Sequence, residues 1–176
     1  MGIMIAMKGK YENSQVIENV VRYITRTRSS EKRGDELLAY GSHGVADYLS
    51  VEVMIRQMKA VQEFYRIEQR KGRRMYHEVF SLTNEEVSRI RDFSTLIQFA
   101  NECSLLYFQN GFQVVFAIHY EAGGQVHIHF AVSTINFRTG AKWHSSMVDL
   151  SGRQECFNAI LQKYLDRNVI YPVFMW

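Results

Sequence analysis

The stretch HYEAGGQVHIHFAVSTINFRTG, residues 119–140, belongs to two runs that are typical of β-strands, joined around a Gly-Gly turn. Alternate side chains of a strand point to opposite faces. Each run therefore has one face of large apolar residues and one face on which His119, or His127 and His129, have small neighbours. The apolar faces carry Phe116, Ile118, Ile128 and Phe130. If these faces lie together on the core, the three histidines also lie together.

The length of the loop decides whether the histidines meet. Only an odd number of loop residues brings His119 to the same face as His127 and His129. A three-residue loop over residues 122–124 would set His119 opposite His127, whereas a regular two-residue Gly-Gly turn would oppose it to Ile128. We therefore expect the three-residue loop.

Three histidines on one face suggest a metal site. Neutral imidazole is a good ligand for first-row metals, and three ligands leave positions open for a substrate oxygen. We expect a divalent ion on His119, His127 and His129, with Mn or Mg as the working ion and Zn as a further candidate. The alternative is that these are hydrogen-bonded structural or surface histidines, because an HxH pair alone often occurs by chance.

The remaining pattern predicts an α+β fold, with a central antiparallel sheet and helices packed against it. Further strands are expected over residues 3–7, 37–40, 74–82 and 169–176. Helices are expected from Asn13 or Ser14, from Ser50 to Gln69, from Thr83 to before Asn110, and from Ser151. His77 and Glu78 have opposite parity in the 74–82 strand, so only one of them can face the histidines. We expect Glu78 there, orienting a ligating imidazole.

Composition indicates one globular domain over residues 1–176, with 47% hydrophobic and 22% charged residues. The two cysteines form no CxxC motif, which favours a reduced, cytoplasmic compartment. The N-terminal apolar run is too short for a signal peptide, and no stretch approaches the length of a membrane span.

Positive charge is concentrated in residues 22–33 and 56–74, although the formal net charge is only +3. A phosphate backbone is a common partner of such clusters, and the alternative is a solvated helix face. The aromatic residues around 137–143 could stack on unpaired bases. The candidate DNA-binding residues are Arg22, Arg26, Arg28, Arg73, Arg74, Arg138, Lys142 and Trp143.

Four motifs resemble those of the HUH endonucleases, and among them the relaxases of plasmid mobilisation. They are ENVVRYIT (18–25), YHEVFSL (76–82), the histidine pattern itself, and VSTINFRTGAKW (132–143), and they occur in the family's order. One departure is the sequence His119-Tyr120-Glu121, because the family commonly has Asp near the first histidine.

The resemblance implies an HUH-like sandwich that nicks single-stranded or hairpin DNA at an origin of transfer, with accessory transfer proteins as further partners. It implies that Tyr23 is the nucleophile and forms a 5′-phosphotyrosine, while a metal on the three histidines polarises the phosphate. By helical spacing alone, Tyr23 could equally be a core residue.

Two alternatives remain open. Rolling-circle replication initiators and single-tyrosine transposases of the same superfamily place the nucleophile after the HxH pair, and Tyr164 would then serve. The chain could also be a non-catalytic DNA-binding accessory protein that keeps the fold without using the site.

Overall fold

The computed structural model describes residues 1–27, 35–90 and 92–166, which form five strands and five α-helices. The strands are β1 (Ile3–Ala6), β2 (Asp35–His43), β3 (Met75–Leu82), β4 (Phe112–Glu121) and β5 (Val126–Asn136). The helices are α1 (Val16–Ile24), α2 (Val51–Phe64), α3 (Asn84–Arg89), α4 (Phe93–Gln109) and α5 (Met147–Leu165). The predicted α+β class is confirmed.

The strands form a single antiparallel sheet in the order β1-β3-β5-β4-β2. The hairpin of β4 and β5 therefore lies in the middle of the sheet, with β3 directly beside β5. Most side chains of these two strands are buried. Because helices cover both faces, the sheet is the central layer of a sandwich.

The two faces carry side chains of different size. On one face Val115, Ala117 and Ala131 pack against α1 and α2. On the other, larger residues such as Phe116 and Phe130 pack with the apolar sides of α4 and α5. We call the first the histidine face, because strand parity places His119, His127 and His129 on it.

The predicted long helix after Thr83 is two helices. Thr83 and Glu86 do form the expected capping box, but α3 ends at Arg89 and the backbone is extended at Ile90. Asp92 then begins α4, and its side chain accepts a hydrogen bond from the Thr95 amide. A second N-cap inside the helical pattern thus begins a separate helix.

Other helix ends also differ from expectation. Ser50 caps α2 as predicted, but the helix ends at Phe64 because Arg66 adopts a left-handed φ of 51°. α5 begins at Met147 behind a capping box of Ser146 and Asp149, so the predicted start at Ser151 is wrong. The strand expected over residues 169–176 lies outside the described residues. In the part of the chain that the structure describes, no helix combines the length and apolarity that crossing a membrane requires.

Candidate active site

The loop of the hairpin has the predicted length. The Glu121 amide donates to the Gln125 carbonyl over 2.9 Å, so residues 122–124 form a three-residue loop. His119 consequently lies directly opposite His127 in the register of β4 and β5. The prediction that the three histidines share a face is therefore confirmed.

A fourth histidine joins this cluster. The rings of His119 and His129 have centroids 4.4 Å apart. His77 from β3 lies on the other side of His129, with 5.2 Å between the ring centroids and 2.9 Å between its Nε2 and the Nδ1 of His129. His77 and Glu78 have opposite parity in β3, and it is His77 that faces the cluster.

The prediction that Glu78 faces the histidines is wrong. Glu78 is fully buried on the opposite face, where it accepts hydrogen bonds from the Tyr107 hydroxyl at 2.7 Å and Arg153 Nε at 3.0 Å. A buried carboxylate requires such partners. They come from α4 and α5, which the sequence of β3 alone does not reveal.

Both ring nitrogens of His119 contact protein groups. Its Nε2 lies 2.6 Å from the Ile24 carbonyl oxygen at the end of α1, so this nitrogen donates. Its Nδ1 lies 3.0 Å from Arg26 Nη2 and 3.2 Å from Asp35 Oδ2. Arg26 also forms an ion pair with Asp35. His119 is thus the buried centre of a network that ties α1 to β2 and β4.

His127 is also held by neighbours on its own face. Its Nδ1 lies 2.7 Å from the hydroxyl of Ser81, the residue directly opposite it on β3. Its Nε2 lies 3.1 Å from Glu121 Oε1. Neither ring nitrogen points freely into the cluster.

The predicted metal site does not fit this arrangement. Among the described residues, no group of three or more His, Cys, Asp or Glu side chains is placed so that it could hold a metal ion. The three histidines share a face, but the nitrogens of His119 and His127 are bonded to protein groups. A common metal would require the Nδ1 of His119 to leave Arg26 and Asp35, because its Nε2 donates to the Ile24 carbonyl.

Burial favours the neutral imidazole at His77 and His129. Burial, together with neighbouring His119, lowers the pKa of His77 to about 4. Burial, with three nearby histidines and Arg26, lowers the pKa of His129 to about 2. The pKa of His119 is also lowered, chiefly by burial. A charged imidazole is disfavoured wherever water is excluded.

Tyr23 lies at the edge of the histidine cluster. Its ring is edge-on to His77 at 5.8 Å and to His129 at 6.0 Å between centroids. The Arg26 guanidinium lies 5.2 Å from the ring centroid. The core side of α1 is formed by its fully buried aliphatic residues, whereas Tyr23 is only partly buried. A cavity of about 280 Å³ next to it is lined by Met7, Tyr11, Asn19, Val20, Tyr23 and His77.

Tyr164, the alternative nucleophile, lies on the other side of the sheet. It is 8% exposed in the core that α4 and α5 form with the opposite face, and its hydroxyl is 2.9 Å from Glu102 Oε2. The sheet separates it from the histidines. This placement argues against the initiator or transposase interpretation.

Among the predicted DNA-binding arginines of residues 22–33, Arg22 and Arg26 are already paired. Arg22 binds Glu18 at 3.2 Å and Glu52 at 2.9 Å. Arg26 pairs with Asp35 and donates to the Tyr23 carbonyl oxygen at 3.1 Å. Arg28 lies outside the described residues. Arg26 therefore holds the backbone of the tyrosine, and its charge is neutralised.

Arg73 and Arg74 lie just before β3. The Arg73 guanidinium is 5.5 Å from the Tyr11 ring centroid and 5.6 Å from that of Tyr76. The Arg74 amide donates to the Tyr11 carbonyl oxygen at 2.8 Å. Arg73 thus reaches the wall of the cavity beside Tyr23.

Of the other predicted DNA contacts, Arg138 lies beyond the end of β5, roughly 20 Å from His129 by the rise of a strand. Arg138 packs over Phe137 at 5.3 Å. Lys142 donates to the Lys71 carbonyl oxygen. Trp143 packs on Tyr76 with 4.7 Å between centroids, which makes it part of an aromatic cluster. Arg138 is therefore distant from the histidine cluster, whereas Lys142 lies beside the segment that leads into β3.

Comparison with known proteins gives one family match. A family model described as relaxase, MobA/VirD2-like, nuclease domain, matches residues 23–165. This range begins at Tyr23 and includes the whole histidine cluster and α5. No curated protein matches the chain.

Proposed function

Because the chain belongs to the MobA/VirD2-like family of relaxase nuclease domains, we propose that it nicks single-stranded DNA at an origin of transfer with Tyr23 as its nucleophile. The family is one of DNA-nicking enzymes that act in mobilisation. The observation that supports Tyr23 is its position, with its ring edge-on to His77 and His129 beside an open cavity.

The proposed reaction is a transesterification. The Tyr23 oxygen attacks the phosphorus atom, a tyrosine O–P bond forms, and the bond from phosphorus to the 3′ oxygen breaks. The phenol proton leaves to solvent, and the departing 3′ oxygen takes up a proton from solvent. The products are a 5′-phosphotyrosine and a free 3′-hydroxyl, which conserves a phosphodiester for later rejoining.

The neighbouring residues support this role by holding the tyrosine. Arg26 Nη1 donates to the Tyr23 carbonyl oxygen, and the next carbonyl, that of Ile24, accepts from His119. Two consecutive backbone groups are thus fixed relative to the sheet. Orientation of a nucleophile is a large part of the rate enhancement in phosphoryl transfer.

Metal dependence remains a prediction from the sequence. Relaxases of this family generally use a divalent ion, and His119, His127 and His129 would be its ligands here. Because the described histidines are bonded to protein groups, the ion would have to displace those bonds. Calorimetric titration of the protein with Mn²⁺, Mg²⁺ and Zn²⁺ measures whether it does.

The nucleophile is tested by trapping the covalent intermediate. Wild-type protein incubated with divalent ion and single-stranded origin DNA should give an adduct that survives denaturation. Tyr23→Phe should abolish the adduct and leave DNA binding nearly unchanged, because the ring still packs. Tyr164→Phe is the matched control and should form the adduct normally, since that hydroxyl bonds to Glu102 on the other side of the sheet.

Two outcomes would contradict the proposal. An adduct that persists in Tyr23→Phe and disappears in Tyr164→Phe would favour an initiator or transposase. DNA binding without an adduct in any condition would favour a non-catalytic accessory protein.

A further inference from the structure

We propose that Tyr11 and Arg73 form a clamp for one nucleotide beside the phosphate that Tyr23 attacks, with the base on the Tyr11 ring and a flanking phosphate on Arg73. The inference rests on the proposed function, since it names how substrate enters the same site. It assigns a role to Tyr11, a residue outside every sequence motif discussed above.

The backbone holds Tyr11 in an unusual conformation. Its φ of 44° is left-handed, which is rare for a bulky residue and persists only where the surrounding structure enforces it. The Arg74 amide supplies part of that enforcement through its 2.8 Å hydrogen bond to the Tyr11 carbonyl oxygen. The chain before β3 thus holds the backbone of Tyr11 in this conformation.

The ring of Tyr11 lies between the cation and the active site. On one side is the Arg73 guanidinium at 5.5 Å, and on another is the His77 ring, edge-on at 6.4 Å. Tyr11 and Tyr23 line the same cavity of about 280 Å³. That volume accepts a nucleobase and its sugar, and every base has a flat face that can stack on an aromatic ring.

Arg73 is a cation available to a phosphate beside this cavity. Arg22 and Arg26 are neutralised by carboxylates, and in the described part of the chain no carboxylate pairs with Arg73. Its backbone carbonyl accepts from Thr134 Oγ1 at 3.0 Å, which anchors it to the end of β5. A fixed, unpaired guanidinium can bind a phosphate through two parallel hydrogen bonds.

Base stacking is tested with two probes, a 12-nucleotide oligothymidylate and an abasic strand of the same length. Tyr11→Phe keeps the ring, whereas Tyr11→Asn removes it and retains a residue that tolerates positive φ. Wild type and Tyr11→Phe should bind the oligothymidylate more tightly than the abasic strand. Tyr11→Asn should reduce that preference roughly five- to hundredfold, as measured by fluorescence anisotropy.

The phosphate contact is tested with Arg73→Ala and Arg73→Lys. Arg73→Ala should weaken binding of both probes and lower the slope of log affinity against log salt by about one. Arg73→Lys should recover the slope. Arg138→Ala is the matched control, because Arg138 also packs over two aromatic rings but lies at the far end of the hairpin. It should leave the Tyr11-dependent base preference unchanged.

The outcomes separate the clamp from the proposed function. A base preference that survives in Tyr11→Asn, or an Arg73→Ala protein that binds both probes like wild type, overturns the clamp whether or not Tyr23 forms an adduct. Conversely, a preference that depends on Tyr11 and Arg73 in a protein that forms no adduct supports the clamp and refutes the nuclease proposal. Circular dichroism verifies that each variant is folded. If Tyr11→Asn or Arg73→Ala unfolds, the conservative variants Tyr11→Phe and Arg73→Lys still test the clamp.

Discussion

His77 and Glu78 are adjacent in β3, yet they belong to different parts of the molecule. His77 lies on the histidine face against His129, and Glu78 lies on the opposite face between Tyr107 and Arg153. Both residues can be buried because hydrogen-bond partners satisfy their polar atoms. Glu78 therefore supports the fold, and His77 belongs to the site.

Replacement of Glu78 by Gln should destabilise the protein without changing the chemistry of the site. The substitution leaves the Arg153 guanidinium largely buried without its carboxylate, and loss of one partner of a buried ion pair costs about 3–5 kcal/mol. Urea denaturation measures the loss. Glu52→Gln, at an exposed ion pair with Arg22, is the control and should change the unfolding midpoint little. A Glu78→Gln protein of normal stability that no longer forms the Tyr23 adduct would mean that Glu78 acts in the site.

At the scale of elements, α1 is the helix that the site depends on. Its last carbonyl groups would lack partners inside the helix. The Ile24 carbonyl instead accepts from His119 at 2.6 Å, and Arg26 turns the chain away with a φ of 55°. The end of the helix that carries Tyr23 is thus capped by a strand of the sheet.

Replacement of His119 by Ala should reduce the protection of the α1 amides from hydrogen exchange. This effect should be seen in protein that contains no metal. An unsatisfied buried carbonyl costs about 1–3 kcal/mol, so hydrogen exchange of the α1 amides should accelerate roughly five- to hundredfold. His127→Ala is the matched control, since His127 contacts Ser81 and Glu121 rather than α1. Equal protection of α1 in both variants and in wild type would show that His119 does not anchor the helix.

At the scale of the whole molecule, burying neutral histidines at the centre of the sheet couples folding to pH. An unfolded histidine takes up a proton near pH 6.5, whereas burial lowers the pKa of His77 in the folded protein to about 4. Between these values the unfolded chain binds more protons than the folded one. The stability contributed by the neutral histidine is therefore complete above pH 6.5 and is lost as the pH falls from 6.5 toward 4.

Lowering the pH from 7.5 to 5 should consequently reduce the free energy of unfolding, by about 2 kcal/mol from His77 alone. Urea titrations at several pH values measure this slope. His77→Asn removes the titrating group, so its profile should be flatter over the same range even if the variant is less stable overall. A wild-type profile that is flat between pH 7.5 and 5 would contradict the burial of uncharged histidines.

Local rules were enough to predict the centre of this fold. The alternation of β4 and β5 and the parity of their loop depend only on residues within the hairpin, so the sequence predicted that His119, His127 and His129 share a face. The capping box at Thr83 and the N-cap at Ser50 are local in the same way, and both are confirmed.

The features of the site that only the tertiary structure determined depend on contacts between residues that are distant in sequence. The choice of His77 over Glu78 depended on Arg153, which is 75 residues away from Glu78. The bonds of His119 to Ile24, 95 residues away, and to Arg26 decided that its nitrogens do not meet those of His127. The period of a strand determines which face a side chain occupies. Its hydrogen-bond partner depends instead on the helices that pack on that face, because a buried polar group needs a donor or acceptor that is close in space.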